Sequence, residues 1–429
     1  MARPPMTPLK RMHAASAGMS IKPESEAQES AQILTGPWRE NPAAAPEVRL
    51  SVHQEFEPLK AVWQELEQSG DCTPFQTYVW LTAWQRHIGT RQGVRPAIVV
   101  GWDTSGNALF ILPLAIRIGF FCNRLSWLGG DLCDYQAPLL SKKFPAQVGS
   151  DRFAALWTRI RGLLPAHHIV SLERMPEQVG AQPNPFMALD GVRPHACFAH
   201  KTILKSDWES YYGEKRSSAS RKRDKQKRRK TEELGAVTLV TPDTAEARLQ
   251  ALDVLMAQKS VAFARMGVAN LFDKAGYRDF YRDLAASTEA ADMIHVCYLD
   301  VGGKVAAANW GVSFAGRYSY VLASYDETAE TAKYGPGVIQ LMELMAHATA
   351  TGHDEFDFTI GDEAYKEQWC EVEVRLHDHR EPSSLLGWVG LGPEIAYAAV
   401  KRFIKQSPLL WPRFIRMRAM AAKWHVIGA

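Results

Sequence analysis

Two stretches of this chain run through the same succession of elements, and that succession constrains the fold more than any single motif. In the first, apolar residues recur at helical spacing at Phe56, Leu59, Val62, Trp63 and Leu66, and again at Phe75, Val79, Trp80, Ala83 and Trp84. Residues three and four apart share one helix face, so each set predicts an amphipathic helix. The apolar, β-branched runs of "RPAIVVGWDTSGNALFILPLAIRIG" flank "DTSGN", a turn signal, and predict a hairpin. "RLSWLGG" adds a strand, "DLCDYQAPLL" interrupts, and a helix over about 151–164 leads to the strand "HHIVSLERM". The second stretch repeats the order. Helices over about 245–265 and 274–286 precede three strands joined by "DVGGK" and "AGR", then an apolar helix over 338–350 and the strand "FDFTI". No residue-level repeat accompanies the shared order, which predicts two related α/β domains in tandem.

The expected boundaries are 49–200 for the first domain and 201–385 for the second. Residues 1–48 are rich in Ala, Pro, Ser and Glu without an apolar period and read as a disordered leader. Residues 386–429 read as a basic, aromatic, helical tail interrupted at Pro408 and Pro412. A length of 429 residues, with 46% hydrophobic and 23% charged, suits two or three globular cores. Six scattered cysteines form no CxxC pair or metal spacing, so they are expected as small apolar core residues in a reducing compartment, and no metal is expected. With no apolar run of membrane-spanning length and no signal-type leader, the expected location is cytoplasmic, at most peripheral to an inner membrane.

A net charge of +3 does not by itself point to a polyanion, but its distribution is uneven. Residues 215–230, "KRSSASRKRDKQKRRK", hold ten basic residues against the single Asp224. Such a run is either a solvated helix face or a surface for RNA, a polyanionic substrate or an anionic membrane. It contains no aromatic residue for base stacking, so nucleic acid is not the expected partner; weak association with an anionic membrane through 215–230 and 386–429 is.

Chemistry concentrates in three places. In "KYGPGVIQLMELMAHA", Gly335, Gly337 and Val338 open a helix whose first-turn N–H groups can receive a pyrophosphate, unless the glycines only make a turn. In "FDFTIGDEAYKEQW", Asp362, Glu363, Tyr365 and Lys366 follow a strand directly. A carboxylate there can take a proton from an amine, Lys366 can stabilise an oxyanion, and Tyr365 can protonate a leaving group. The bland alternative is an acidic first turn of a helix. If "FDFTI" is parallel to its neighbour, its carboxyl end and the glycine turn face one crevice. Third, "GGDLCDYQAPLL" presents Asp131, Asp134 and Tyr135 after a strand, as substrate-binding groups or as a plain turn. His167, His168, His377 and His379 have no matching metal partners in the sequence.

Together "PFQTYVWLTAW", "LPLAIR", "LSWLGGDLCDYQAPLL" and "KYGPGVIQLMELMAHATATGHDEFDFTIGDEAYKEQW" resemble the CelD-like acetyltransferases of bacteria over roughly residues 50–385. That family belongs to the GNAT superfamily and is related to the FemAB peptidyltransferases. The resemblance implies two tandem GNAT-like domains, each a mixed, mostly antiparallel sheet flanked by helices. It implies acyl transfer from acyl-CoA or a related thioester to an amine, with Gly335 and Gly337 as the pyrophosphate turn and Tyr365–Lys366 as the aromatic–lysine step of FemAB-type enzymes. Ala332 stands where the superfamily has Gln or Arg, which leaves other donors open, aminoacyl-tRNA among them. The family's link to exopolysaccharide production implies an envelope sugar or lipid amine as acceptor. A non-catalytic module bound to a membrane or synthase is the remaining alternative.

Overall fold

The computed structural model describes residues 48–361, 363–407, 409–411, 413, 414 and 417. The leader (1–47), Asp362, Pro408, Pro412 and the chain after 417 lie outside the described residues.

The first half opens with β1 (Arg49–His53), α1 (Lys60–Ser69) and α2 (Tyr78–Trp84). The expected hairpin follows, each arm broken once. One arm is β2 (Val94–Pro96) and β3 (Ile98–Trp102); the other is β4 (Ala108–Leu112) and β5 (Leu114–Arg117). Pro113, which has no N–H to give a ladder, occupies the second break. Then come β6 (Arg124–Trp127), β7 (Leu139–Leu140), α3 (Phe144–Gln147), α4 (Gly149–Leu163) and β8 (Ile169–Pro176). Three short strands, β9 (Gln178–Val179), β10 (Gln182–Pro183) and β11 (Val192–Pro194), close this half.

The second half begins with β12 (Ala199–Ile203), α5 (Trp208–Lys215), α6 (Ser218–Glu232) and β13 (Val237–Val240). Helices α7 (Ala245–Met266) and α8 (Tyr277–Ala286) precede β14 (Ile294–Val301), β15 (Lys304–Phe314) and β16 (Arg317–Tyr325). Helix α9 (Pro336–Ala350), β17 (Glu355–Ile360), β18 (Val372–Val374), β19 (Leu376–Pro382) and α10 (Leu385–Gln406) complete it.

The second half builds a seven-stranded sheet in the order β13-β14-β15-β16-β17-β12-β18. Every pairing in it is antiparallel except β16–β17, which is parallel. The first half builds the orders β1-β3-β4-β7 and β11-β19-β8-β6-β5-β2, with β6–β8 as its parallel pair. The second half is therefore one mixed, mostly antiparallel sheet with helices against it, while the first divides its strands between an antiparallel sheet and a mixed one, and the parallel pair falls at the same step of both. β19 leaves the second half and inserts between β11 and β8 of the first, so sheet membership does not follow chain order.

One buried cluster runs across both halves: Trp80 on α2 meets Phe280 on α8 at 5.2 Å and Trp310 on β15 at 5.8 Å. Each such side chain, fully buried, contributes about 2–3 kcal/mol, so the halves share a core. No helix among the described residues is long and apolar enough to cross a membrane.

The basic run folds as the end of α5 and most of α6. Its lone acid is the residue that docks it: buried Asp224 accepts from Arg216 at 3.1 Å and from the Tyr212 phenol at 3.0 Å. Arg216 in turn stacks on Trp369 at 4.8 Å and donates to Gln368 at 2.9 Å. The run is thus pinned to the segment after β17. Among its described residues that segment forms no α-helix, in contrast to one of its two readings; a single 3-10 turn covers Lys366–Gln368 before β18 begins.

Candidate active site between the two halves

The parallel β16–β17 ladder pairs Arg317 with Glu355, Tyr318 with Phe356 and Ser319 with Asp357, and ends there. Beyond Ser319, β16 follows β15, while β17 follows β12. The two carboxyl ends part and leave a wedge between Tyr320–Tyr325 and Phe358–Gly361. In a parallel pair this is where a sheet opens to ligands.

Helix α9 starts at the wedge. Gly335 is its N-cap in the left-handed region (φ 71°), a conformation that suits glycine, and Pro336 takes the first helical position. The Val338 N–H donates to the Gly335 carbonyl at 3.0 Å and the Gly335 N–H to the Ala332 carbonyl at 3.2 Å, which leaves Gly337 as the first-turn donor of the three expected here. The Tyr325 ring lies 3.6 Å from where a Gly337 Cβ would stand. The Lys227 ammonium of α6 lies 3.6 Å from the equivalent point on Gly335. An ion pair between Arg228 and Glu343 fastens α6 to α9. A cation from the basic run therefore joins the helix dipole at a start suited to phosphate.

The far wall comes from the first half. The "DLCDYQ" loop reaches β17, where the Tyr135 phenol donates to both carboxylate oxygens of fully buried Asp357, each at 2.9 Å. Burial raises the Asp357 carboxyl; Arg317, at 3.8 Å, opposes this. Beside it, Asp134 lies near enough to Thr359 for its side chain to favour the ionised carboxylate. Burial pushes its carboxyl up to about 6, against the pull of Arg174 and Lys366. Thr359 has φ 57°, an outlier for a β-branched residue, with its N–H held by Asp357 at 2.7 Å. Strain of this kind costs about 1–3 kcal/mol and gathers at functional sites.

Lys366 is placed differently from its expected role. Its ammonium is 3% exposed and donates to the carbonyls of Thr359, Ile360 and Gly361, each at 3.2 Å, with Glu363 at 2.9 Å. All of its protons are occupied in holding the end of β17. Glu363 is exposed and tied to Lys366, and Asp362 lies outside the described residues. Tyr365 is partly exposed and packs on Phe358 at 6.1 Å. A second lysine, Lys259 on α7, donates to the Ala323 carbonyl of β16 at 3.0 Å; burial lowers its pKa, with Glu363 and Lys366 close enough to act on it.

The structure thus brings Asp134, Thr359, Lys366, Tyr365 and Lys259 to the parted end of β16 and β17, with Gly337 and Lys227 at the helix start. Lys227, Lys259 and Thr359 were not singled out in the sequence. Lys227 was hidden in its run, Lys259 is one polar residue on a long helix, and nothing in "FDFTI" marks a left-handed threonine. An open depression lined by Arg49, Asp103, Ser105 and Arg159 holds none of these groups. Among the described residues no cluster of His, Cys, Asp and Glu could hold a metal ion.

None of the curated proteins matches the chain. Residues 218–367 match the model of an acetyltransferase (GNAT) domain, a segment that runs from α6 to the Lys366 turn. Among solved structures, FemX is similar at a TM-score of 0.52 and 10% identity, over 76% of this chain and 96% of that one. The C-terminal domain of a putative lysylphosphatidylglycerol synthetase from Agrobacterium fabrum reaches 0.46 at 10% identity, over 82% and 97%. A tandem GNAT protein from the clavulanic acid biosynthesis pathway reaches 0.42 at 12% identity, over 79% and 99%. The fold is similar to that of FemX, and the segment carrying the wedge and the glycine turn is the one that matches an acetyltransferase (GNAT) domain.

Proposed function

We propose that this chain transfers an acyl group from a thioester, acyl-CoA in the first instance, to an amine. The observation that carries the proposal is the parting of β16 and β17 after Ser319 and Asp357, with the Gly337 N–H and Lys227 at one end and Asp134 at the other. A thioester lies in such a wedge with its phosphates at the helix start and its carbonyl toward the carboxylate. The amine lone pair forms the C–N bond and the carbonyl pair moves onto oxygen. Asp134, ionised above about pH 6, takes the ammonium proton. The C–S bond then breaks, and the departing sulfur takes a proton from the Tyr365 phenol, which packs on Phe358 of β17. Lys259 supplies the cation near the oxyanion, because Lys366 is occupied. Lys366 and Thr359 are positioning residues. The resemblance to CelD-like acetyltransferases supports an envelope-sugar or lipid amine as acceptor.

A second reading keeps the transfer and changes the donor. Lys222, Arg223, Lys225 and Arg229 are exposed on the helix that brings Lys227 to the site, which favours a polyanionic donor such as an aminoacyl-tRNA. Calorimetric titration of the full chain with CoA and with tRNA separates the two. Saturable CoA binding, weakened about tenfold by Lys227→Glu, supports the thioester. Silence toward CoA with salt-sensitive tRNA binding supports the polyanion. No binding of either sinks both.

A further inference from the structure

The chain passes from the first-half sheet to the second between β11 and β12, and Cys197 lies on that passage. Beside it β18 leads into β19 and makes the reverse crossing. His195 is fastened to the returning strand, its N–H donating to the Leu376 carbonyl at 2.8 Å. Its ring Nδ1 stands 2.8 Å from the Asp378 carboxylate, and the two side chains are only 16% and 12% exposed.

Asp378 is itself held in aim. Arg174 has φ 55°, left-handed for a residue other than glycine, at the point where the β8–β19 register shifts. The turned backbone gives its N–H to Asp378 Oδ1 at 3.1 Å, and the Arg380 guanidinium donates to Oδ2 at 3.3 Å. An irregularity of this kind re-aims a side chain, and strain persists only where the surroundings over-determine it. Arg380 also pairs with Glu173 at 2.8 Å, and Arg193 stands opposite Asp378 in the β11–β19 ladder.

Cys197, two residues beyond His195, lies near enough for its sulfur to favour the imidazolium. Burial favours the neutral ring, yet Asp378 and Cys197 together raise His195 to about 9, so the ring is a cation at neutral pH. A thiol beside such a cation ionises readily, and the thiolate is the nucleophile. Asp378 behind His195 completes the order of nucleophile, base and orienting group. Four other cysteines are placed differently: burial pushes the thiols of Cys72, Cys133, Cys297 and Cys370 up. Cys197 is partly exposed.

From this geometry we infer that Cys197, backed by His195 and Asp378, is a nucleophilic cysteine oxidised by hydroperoxides. A sulfur lone pair attacks one peroxide oxygen, the O–O bond breaks, and the sulfur becomes a sulfenic acid. The peroxide is reduced: its other oxygen departs as hydroxide or alkoxide and takes the His195 proton. None of the three residues has a part in the acyl-transfer reading, so that reading can fail while this one stands.

The test is timed alkylation of the full chain with iodoacetamide from about pH 6 to about pH 9, read cysteine by cysteine by peptide mass spectrometry. An ordinary thiol, with a pKa of about 8.5, reacts about tenfold faster per pH unit below that value. Cys197 should instead react at a nearly constant rate above about pH 7. At neutral pH it should outpace Cys122, also partly exposed, at least about tenfold. His195→Gln, checked for a cooperative melt, should restore the steep profile; the wild-type profile decides even where that variant fails to fold. With stoichiometric hydrogen peroxide, dimedone should label Cys197 before any other cysteine. A Cys197 rate that climbs with pH as that of Cys122 does, a flat profile that His195→Gln retains, or dimedone on another cysteine first would overturn the inference.

Discussion

The Tyr135 phenol bridges both oxygens of Asp357 at 2.9 Å, across 222 positions of sequence. That contact fixes the loop of the first half against β17 of the second and thereby sets where neighbouring Asp134 lies. Tyr135→Phe leaves the ring in place and removes the donor from a buried carboxylate. The expected outcome in chemical denaturation is a loss of about 1–3 kcal/mol, with activity falling as well, because Asp134 loses its anchor.

Asp134 carries a sharper prediction. As the base it must be ionised, so kcat/KM should fall as pH drops through about 6, with the slope of one proton. Stability runs the other way. A carboxyl raised from 3.8 to about 6 on folding binds its proton more tightly in the native state, so stability declines as pH rises between those values and stays lower above them. Asp134→Asn should therefore cost about 10²–10⁴-fold in turnover and lose the acid limb, while the melting temperature at neutral pH holds or rises.

Lys366 and Lys259 should separate cleanly. Lys366→Ala strips the carbonyls of Thr359, Ile360 and Gly361 of a buried donor, and a loss of about 2–4 kcal/mol is expected. A lysine free to stabilise an oxyanion, as expected from the sequence, would instead lose turnover and keep its fold. Lys259→Met removes a cation whose charged form folding disfavours, so it should leave thermal stability intact while slowing turnover about 10–100-fold. Steady-state kinetics beside thermal melts of the two variants decide this.

Much of the frame was legible. The helices, the hairpin and the three-strand meander follow from apolar period and turn residues, and the glycine turn and the "DLCDYQ" loop were both marked as chemistry-bearing; that "FDFTI" runs parallel to its neighbour was only a condition in the sequence and is given by the β16–β17 ladder. What stayed hidden is what tertiary contact decides. A lysine after a strand reads as free until its ammonium is found on the carbonyls of Thr359, Ile360 and Gly361. Asp224 was only counted as the single acid of a cationic run, yet it is the residue that docks the run. Nothing local announced that Asp134 of the first half would come to lie beside Thr359 of the second, because that meeting depends on two sheets packing together.

The phosphate end of the wedge is tested by Gly337→Pro, which removes the open N–H without adding charge. Proline suits the first turn of a helix, so the fold should persist, and the apparent KM for an acyl-CoA should rise about tenfold with a smaller change in kcat.

The central claim is amine-dependent acyl transfer with Asp134 as base, and the direct measurement is release of free thiol from acetyl-CoA across a panel of amines. The prediction is release that requires an amine, proceeds with formation of the matching amide and slows at least about a hundredfold in Asp134→Asn. Equal rates in the wild type and Asp134→Asn, or release that ignores the amine, would contradict it.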